Sequence, residues 1–115
     1  MIRFRISARA QRDLDLIVEQ SGERWGDVAR ERYTTLLVEA LREIMRAPTG
    51  PGTRDRANLV RGVRSLHLRD AREARAASRV NAPVHVIFYR VGIDRIDVVR
   101  VLHERMEASR HLPSK

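Results

Sequence analysis

The 115-residue sequence predicts an α+β protein, a mainly antiparallel sheet packed on one face by a two-helix hairpin, in the order β-α-α-β-β-β with a short closing helix. Three observations predict it. Between residues 27 and 47 apolar side chains recur at helical steps. Residues 84–102 hold two β-branched and aromatic runs around Gly92. The helical patterns precede the run of strands instead of alternating with it, which favours segregated layers over a doubly wound sheet.

Taken in order, Ile2–Ile6 (IRFRI) alternates apolar and basic residues, the period of a half-buried strand. Ser7 is a natural N-cap, and Ala10, Leu14, Ile17 and Val18 continue at helical spacing until Gly22, a residue suited to the position after a helix end. A second helix starts at Asp27 as N-cap and carries Tyr33, Leu36, Leu37, Ala40, Leu41 and Ile44 inward until Pro48 stops it. Residues 49–53 (TGPGT) read as a loop. Residues 59–68 (LVRGVRSLHL) read as a strand with Val60, Leu66 and Leu68 on one face. The following Ala- and Arg-rich stretch, 69–83, reads as a loop in preference to a short helix, since it offers few large apolar residues. Val84–Val91 and Ile96–Leu102 form a hairpin through residues 92–95, apolar enough on both faces to be central in the sheet. Glu104–Leu112 is predicted as the closing helix, ended by Pro113.

Length supports a single domain, 1–115, with the Arg-rich insert 69–83 as its one mobile part. Cysteine is absent, which excludes disulfides, thiolate nucleophiles and Cys-type zinc sites, and suits a reducing cytoplasm. No run approaches the roughly 18 apolar residues of a membrane span, and the first residues offer no apolar core for a signal peptide. The net charge of +8 is uneven: residues 54–79 hold eight Arg against Asp55, Asp70 and Glu73, whereas residues 1–47 nearly balance with nine basic and eight acidic side chains. Such a patch attracts polyanions and acidic protein surfaces alike. That 22 of the 23 basic residues are Arg is also what a genome rich in G and C would give.

Motifs for phosphate or metal chemistry fail on inspection. TGPGTR lacks the Lys-Ser/Thr ending of a P-loop, and HERME, residues 103–107, has Glu107 where a zincin needs its second His. His67, His85, His103 and His111 fall at irregular spacing, so no metal or cofactor is expected. Metal-free cleavage of RNA needs only a proton acceptor, a proton donor and a cation for the phosphorane. Arg61, Arg64, His67, His85 and Arg90 are the candidates, each more simply read as a solvated strand residue.

The stretches ERWGDVARERYTTLL, VRGVRSLHL and HVIFYRVGIDRIDVVRVLHERMEASRHL resemble the ParE branch of the RelE/ParE toxin superfamily over almost the whole chain. The sharpest part is Phe88, Tyr89 and Arg90, then Val101, Leu102 and His103, then Arg105, Met106, Arg110 and His111. The resemblance implies a cytoplasmic toxin of a type II toxin–antitoxin pair, of the plasmid-stabilisation kind. It would block DNA gyrase by binding it, with no membrane or nucleic-acid partner, and a ParD-like antitoxin would wrap and neutralise it. It further implies that Trp25, Tyr33, Leu37 and Leu41 line or support the antitoxin groove, and that Arg105, Met106, Arg110 and His111 present a target surface. The RelE branch shares the fold but cuts messenger RNA on the ribosome. This chain ends in RHLPSK without the terminal tyrosine common there, leaving His111 as a further nuclease candidate. Where relatives have a tight turn, this chain inserts residues 69–83.

Overall fold

The computed structural model describes residues 2–113. Its elements are β1 (Arg3–Ile6), α1 (Ala8–Trp25), α2 (Asp27–Arg46), β2 (Thr53–Asp55), β3 (Val63–His67), α3 (Arg72–Ser78), β4 (His85–Val91) and β5 (Arg95–His103). Short 3-10 turns lie at Leu68–Asp70 and Ala108–Arg110. The sheet runs β1-β5-β4-β3-β2, and every pair is antiparallel except β1 with β5. The hairpin β4–β5 is central, as its two-sided apolar pattern predicts.

Each face of the sheet has its own core. On one, Leu66, Ile87, Tyr89, Ile96, Val98 and Val101 meet Leu14 and Ile17 of α1 and Leu36, Leu37, Ala40 and Ile44 of α2. On the other, Val63, Val86, Phe88, Val99 and Leu102 are covered by Leu59, Val60, Ala108 and Leu112. The helical pair therefore covers one face, and the carboxy-terminal segment shields part of the second.

Ser7 caps α1 as expected, its hydroxyl accepting from the Ala10 N–H at 3.0 Å. Gly22 does not end that helix. Its missing side chain leaves room for the Arg30 guanidinium, which would lie 3.0 Å from a Cβ built there. The break falls at Gly26, whose φ of 90° and ψ of −179° belong to a region essentially closed to other residues. Gly26, not Asp27, is also the residue that flanks α2 on its amino side.

Four further expectations are corrected. Thr53–Asp55, at the end of the expected loop and just beyond it, forms the edge strand β2, because Thr53, Arg54 and Asp55 find pairing partners in Leu66, Ser65 and Arg64. The strand expected over 59–68 begins only at Val63, after a turn through Gly62 at φ 81°; Val60 lies in that turn and packs on the face opposite Leu66. Residues 69–83 are not simply a loop, for they contain α3. Its inward residues are small, with Ala71, Ala74 and Ser78 all buried, so the helix sits close against its neighbours without large apolar side chains. The Glu43 carboxylate of α2 accepts from the Ala74 N–H at 2.7 Å and takes up one of the free donors at the start of α3. Finally, 104–112 forms only the 3-10 turn. Nine residues are too few for a self-sustaining helix, and here Leu112 is seated in the second core while the His111 carbonyl accepts from Arg100 Nη1 at 3.0 Å.

Candidate functional site

One end of the sheet opens into a cleft of about 620 Å³ between the carboxy-terminal end of α1 and the ends of β4 and β5. Its floor is a chain of polar rings. Tyr33 of α2 reaches His85 of β4, with Oη 2.6 Å from Nδ1, and the same oxygen accepts from the Val84 N–H at 3.2 Å. His85 stands edge-to-face with His103 of β5, their centroids 5.4 Å apart. Beside them the His67 Nε2–H donates to Glu104 Oε1 at 2.7 Å, while His67 Nδ1 accepts from the Arg69 N–H at 3.1 Å.

A β-bulge brings the two central histidines together. From the hairpin outward Val91 pairs with Ile96, Arg90 with Asp97 and Tyr89 with Val98, but Phe88 then pairs with Arg100, leaving Val99 as the extra residue. Without it His85 would face Leu102. With it, His85 pairs with His103. His103 and Glu104 are the site residues that sequence reasoning missed, and only the shifted register discloses them.

Burial lowers the His85 imidazole to about 4, helped by the positive charge that His103 and His67 would carry, so it is neutral near pH 7. Burial likewise raises the Tyr33 phenol to about 12. The hydroxyl therefore donates to Nδ1 of a neutral imidazole. The hydrogen bond from His67 holds the Glu104 carboxyl below its usual range. A proton donor near 12 and an acceptor near 4 are both far from the range in which acid–base catalysis at neutral pH is efficient.

The predicted nuclease set does not meet here as a whole. His67 and His85 approach this end of the sheet. Arg64 Nη2 instead donates to Thr53 Oγ1 on β2, Arg61 is exposed in the turn before β3, Arg90 reaches the Pro113 carbonyl, and His111 lies in the carboxy-terminal segment. Among the described residues, no three His, Asp or Glu side chains are arranged to hold a metal ion.

Of the groove residues, Trp25 is 74% exposed and borders both this cleft and a second one of about 690 Å³ that continues past Val28, Arg79 and Val80. Tyr33 lines both. Leu37 and Leu41 lie beneath, in or against the main core, and border neither. Arg105 lines the first cleft and its N–H donates to His103 Nδ1 at 3.1 Å. Met106 is exposed next to it, Arg110 pairs with Glu107 at 3.1 Å, and His111 is half-buried.

A five-stranded mixed sheet backed on one face by helices, with a wide cleft at one end of its central strands, defines a small α+β protein. A chain of the chromosomal ParDE TA system from P. aeruginosa has this fold, with a TM-score of 0.65 and 19% identity over 90% of this chain and 96% of that one. In sequence the chain is 37% identical to Toxin ParE1 of Caulobacter vibrioides over 114 residues, 95% of this chain and 96% of the relative. It is 36% identical to Toxin ParE1 of Mycobacterium tuberculosis over 112 residues, 96% of this chain and 97% of the relative. The family described as the ParE toxin of the type II toxin–antitoxin system parDE matches residues 4–108, and the chain belongs to it.

Proposed function

We propose that this ParE-family toxin acts by docking: it binds DNA gyrase and blocks it, and a ParD-like antitoxin neutralises it by occupying the groove around Trp25. The observation that carries this reading is the pair of large apolar side chains left open at that groove, Trp25 at 74% and Val28 at 63% exposure. Exposed apolar surface of this kind, rimmed by polar groups, marks interaction sites. In this reading Trp25 and Tyr33 touch the antitoxin, Leu37 and Leu41 support the groove from below, and Arg105, Met106, Arg110 and His111 face the target.

A second reading, an RelE-like metal-free endoribonuclease, draws on His67, His85, His103 and Glu104 gathering at one cleft. Against it stand the mistuned Tyr33–His85 pair and the separation of Arg61, Arg64, Arg90 and His111 from that cleft. Purified toxin in a gyrase supercoiling assay, run beside in vitro translation read by primer extension, separates the two. Loss of supercoiling with intact messages is the expected result. Codon-positioned cleavage with normal supercoiling would sink the docking reading.

A further inference from the structure

The short helix α3 carries a feature that the docking reading leaves unused. Arg69, Arg72, Arg75 and Arg79 line an open hollow of about 350 Å³ together with Val80 and Asn81. Its charge is poorly compensated. Among the described residues Arg72, Arg75 and Arg79 form no salt bridge, and the carboxylates nearest Arg69 are 3.7 and 4.0 Å away. Glu73, the one acidic residue of α3, is drawn off to Arg46 at 2.7 Å.

The backbone is organised to keep this arrangement. Arg75 donates from Nη1 to the Arg69 carbonyl at 3.0 Å and from Nη2 to the Asn81 carbonyl at 2.9 Å, tying the two ends of the segment together, while its Nε is buried with no partner. Arg79 closes α3 at φ 62°, the left-handed position where glycine is favoured because it has no Cβ to crowd the carbonyl. An arginine in that place is strained, and it is one of the residues that line the hollow.

The hollow is also continuous with the apolar groove. Arg79, Val80 and Asn81 border both, and beyond them lie Trp25 and Val28. We propose that the α3 hollow anchors carboxylates of an acidic, apolar peptide segment whose aliphatic side chains cover Trp25 and Val28. Charge complementarity selects carboxylates for the arginines, and the adjoining apolar surface selects a peptide over a phosphodiester strand, which has no aliphatic side chains to lay there. The proposal rests on the reading that the groove receives a partner's peptide, and it adds the chemistry that partner must have.

Fluorescence anisotropy with the full chain tests it, using a labelled peptide of repeating Glu-Glu-Leu, its Gln-for-Glu counterpart and an oligothymidylate of matching length. The double substitution Arg72→Glu, Arg79→Glu should weaken the acidic peptide at least about tenfold, the value of one charge-assisted hydrogen bond. The same charge change at Arg54 and Arg61 should leave it within about twofold, and the Gln peptide should bind weakly to all. Arg79→Gly gives a signature that misfolding does not produce: Tm rises as the strain is relieved, while acidic-peptide affinity falls. Unchanged affinity in the Arg72/Arg79 variant or in Arg79→Gly overturns the proposal, as does tighter, hollow-dependent binding of oligothymidylate. If Trp25→Ala and Val28→Asp abolish peptide binding while the arginine variants retain it, the anchor is wrong and the groove reading stands. If the arginine variants lose binding and these two do not, the hollow takes acidic chains without the groove and the proposal also falls.

Discussion

Arg100 lies where β1 stops. Ile6 is the last residue of β1 to pair with β5, at Val98, so the outer edge of β5 beyond that point has backbone groups to satisfy. The Ser7 hydroxyl donates to the Val99 carbonyl at 3.1 Å, and Asp13 Oδ2 accepts from the Val101 N–H at 2.9 Å. Asp13 also takes Arg100 as a two-pronged partner, Nε to Oδ2 at 2.8 Å and Nη2 to Oδ1 at 3.0 Å, with both side chains largely buried. Removing one member of such a pair leaves the other charge uncompensated. Asp13→Ala should therefore cost about 3 kcal/mol in urea unfolding. A loss under about 1 kcal/mol would mean that the pair is solvated in the folded protein. His85 gives a second residue-scale prediction. Its folded value of about 4 lies below the ordinary 6.5, so below pH 6.5 the unfolded chain binds a proton that the folded chain refuses. Stability is full above pH 6.5 and falls as the pH drops towards 4, by on the order of 2 kcal/mol after allowing for partial solvent screening. In urea titrations across that window His85→Asn should flatten the slope; an unchanged slope would assign the acid sensitivity to other groups, Glu104 among them.

At the scale of elements, Gly26 ends α1 and opens α2 with a single residue. Its N–H still donates to the Gly22 carbonyl at 2.9 Å, and its own carbonyl accepts from the Arg30 N–H at 3.1 Å. The angle between the two helices, and so the width of the Trp25 groove, depends on that conformation. Gly26→Ala forces a Cβ into a region only glycine occupies readily and should cost about 2 kcal/mol by thermal melting. A neutral effect would show that the inter-helix joint relaxes freely. Ala74 tests how α3 is held. It is fully buried, so the extra carbons of Ala74→Leu must displace packed neighbours, and the change should destabilise by about 1–3 kcal/mol through overpacking. The same change should raise amide exchange across 71–79, whereas exchange in β4 should hardly move. Equal exchange in both segments would mean that α3 unfolds only with the whole domain. This helix was illegible for a definite reason: periodicity is read from large apolar residues, and Ala71, Ala74 and Ser78 mark their face by being small.

For the whole molecule, the unevenness of the +8 charge has a spatial consequence. The arginines of residues 54–79 divide between the β2–β3 edge, where Arg54 and Arg61 are exposed and Arg56 and Arg64 donate to the neutral hydroxyls of Ser65 and Thr53, and the α3 hollow, where Arg72 and Arg79 have no side-chain acceptor among the described residues. An acidic partner seated in the α3 hollow should associate with a salt dependence carried mainly by the arginines that line it. Raising ionic strength should slow association more than it speeds dissociation, a split that stopped-flow kinetics would resolve. Equal effects on both rates would place the charged contacts in a fully desolvated interface.

Alternation and helical spacing were enough to determine β1, α1, α2 and the β4–β5 hairpin, because the first three each bury one regular face and the hairpin buries both, and those demands are written locally in the chain. The exposure of Trp25 was not among these: spacing ended α1 at Gly22, and only the folded chain carries the helix on to Trp25 and leaves that side chain open. Tertiary structure alone decided the rest. Parallel pairing of β1 with β5 joins the two ends of the chain, α3 becomes a helix only against α2, and the carboxy-terminal segment becomes a cover for the second sheet face because Leu112 and Arg100 hold it there. The one-residue bulge at Val99 belongs with these. Register across a hairpin is settled by both cores at once, and no local pattern in β5 announces that His103, not Leu102, will stand opposite His85.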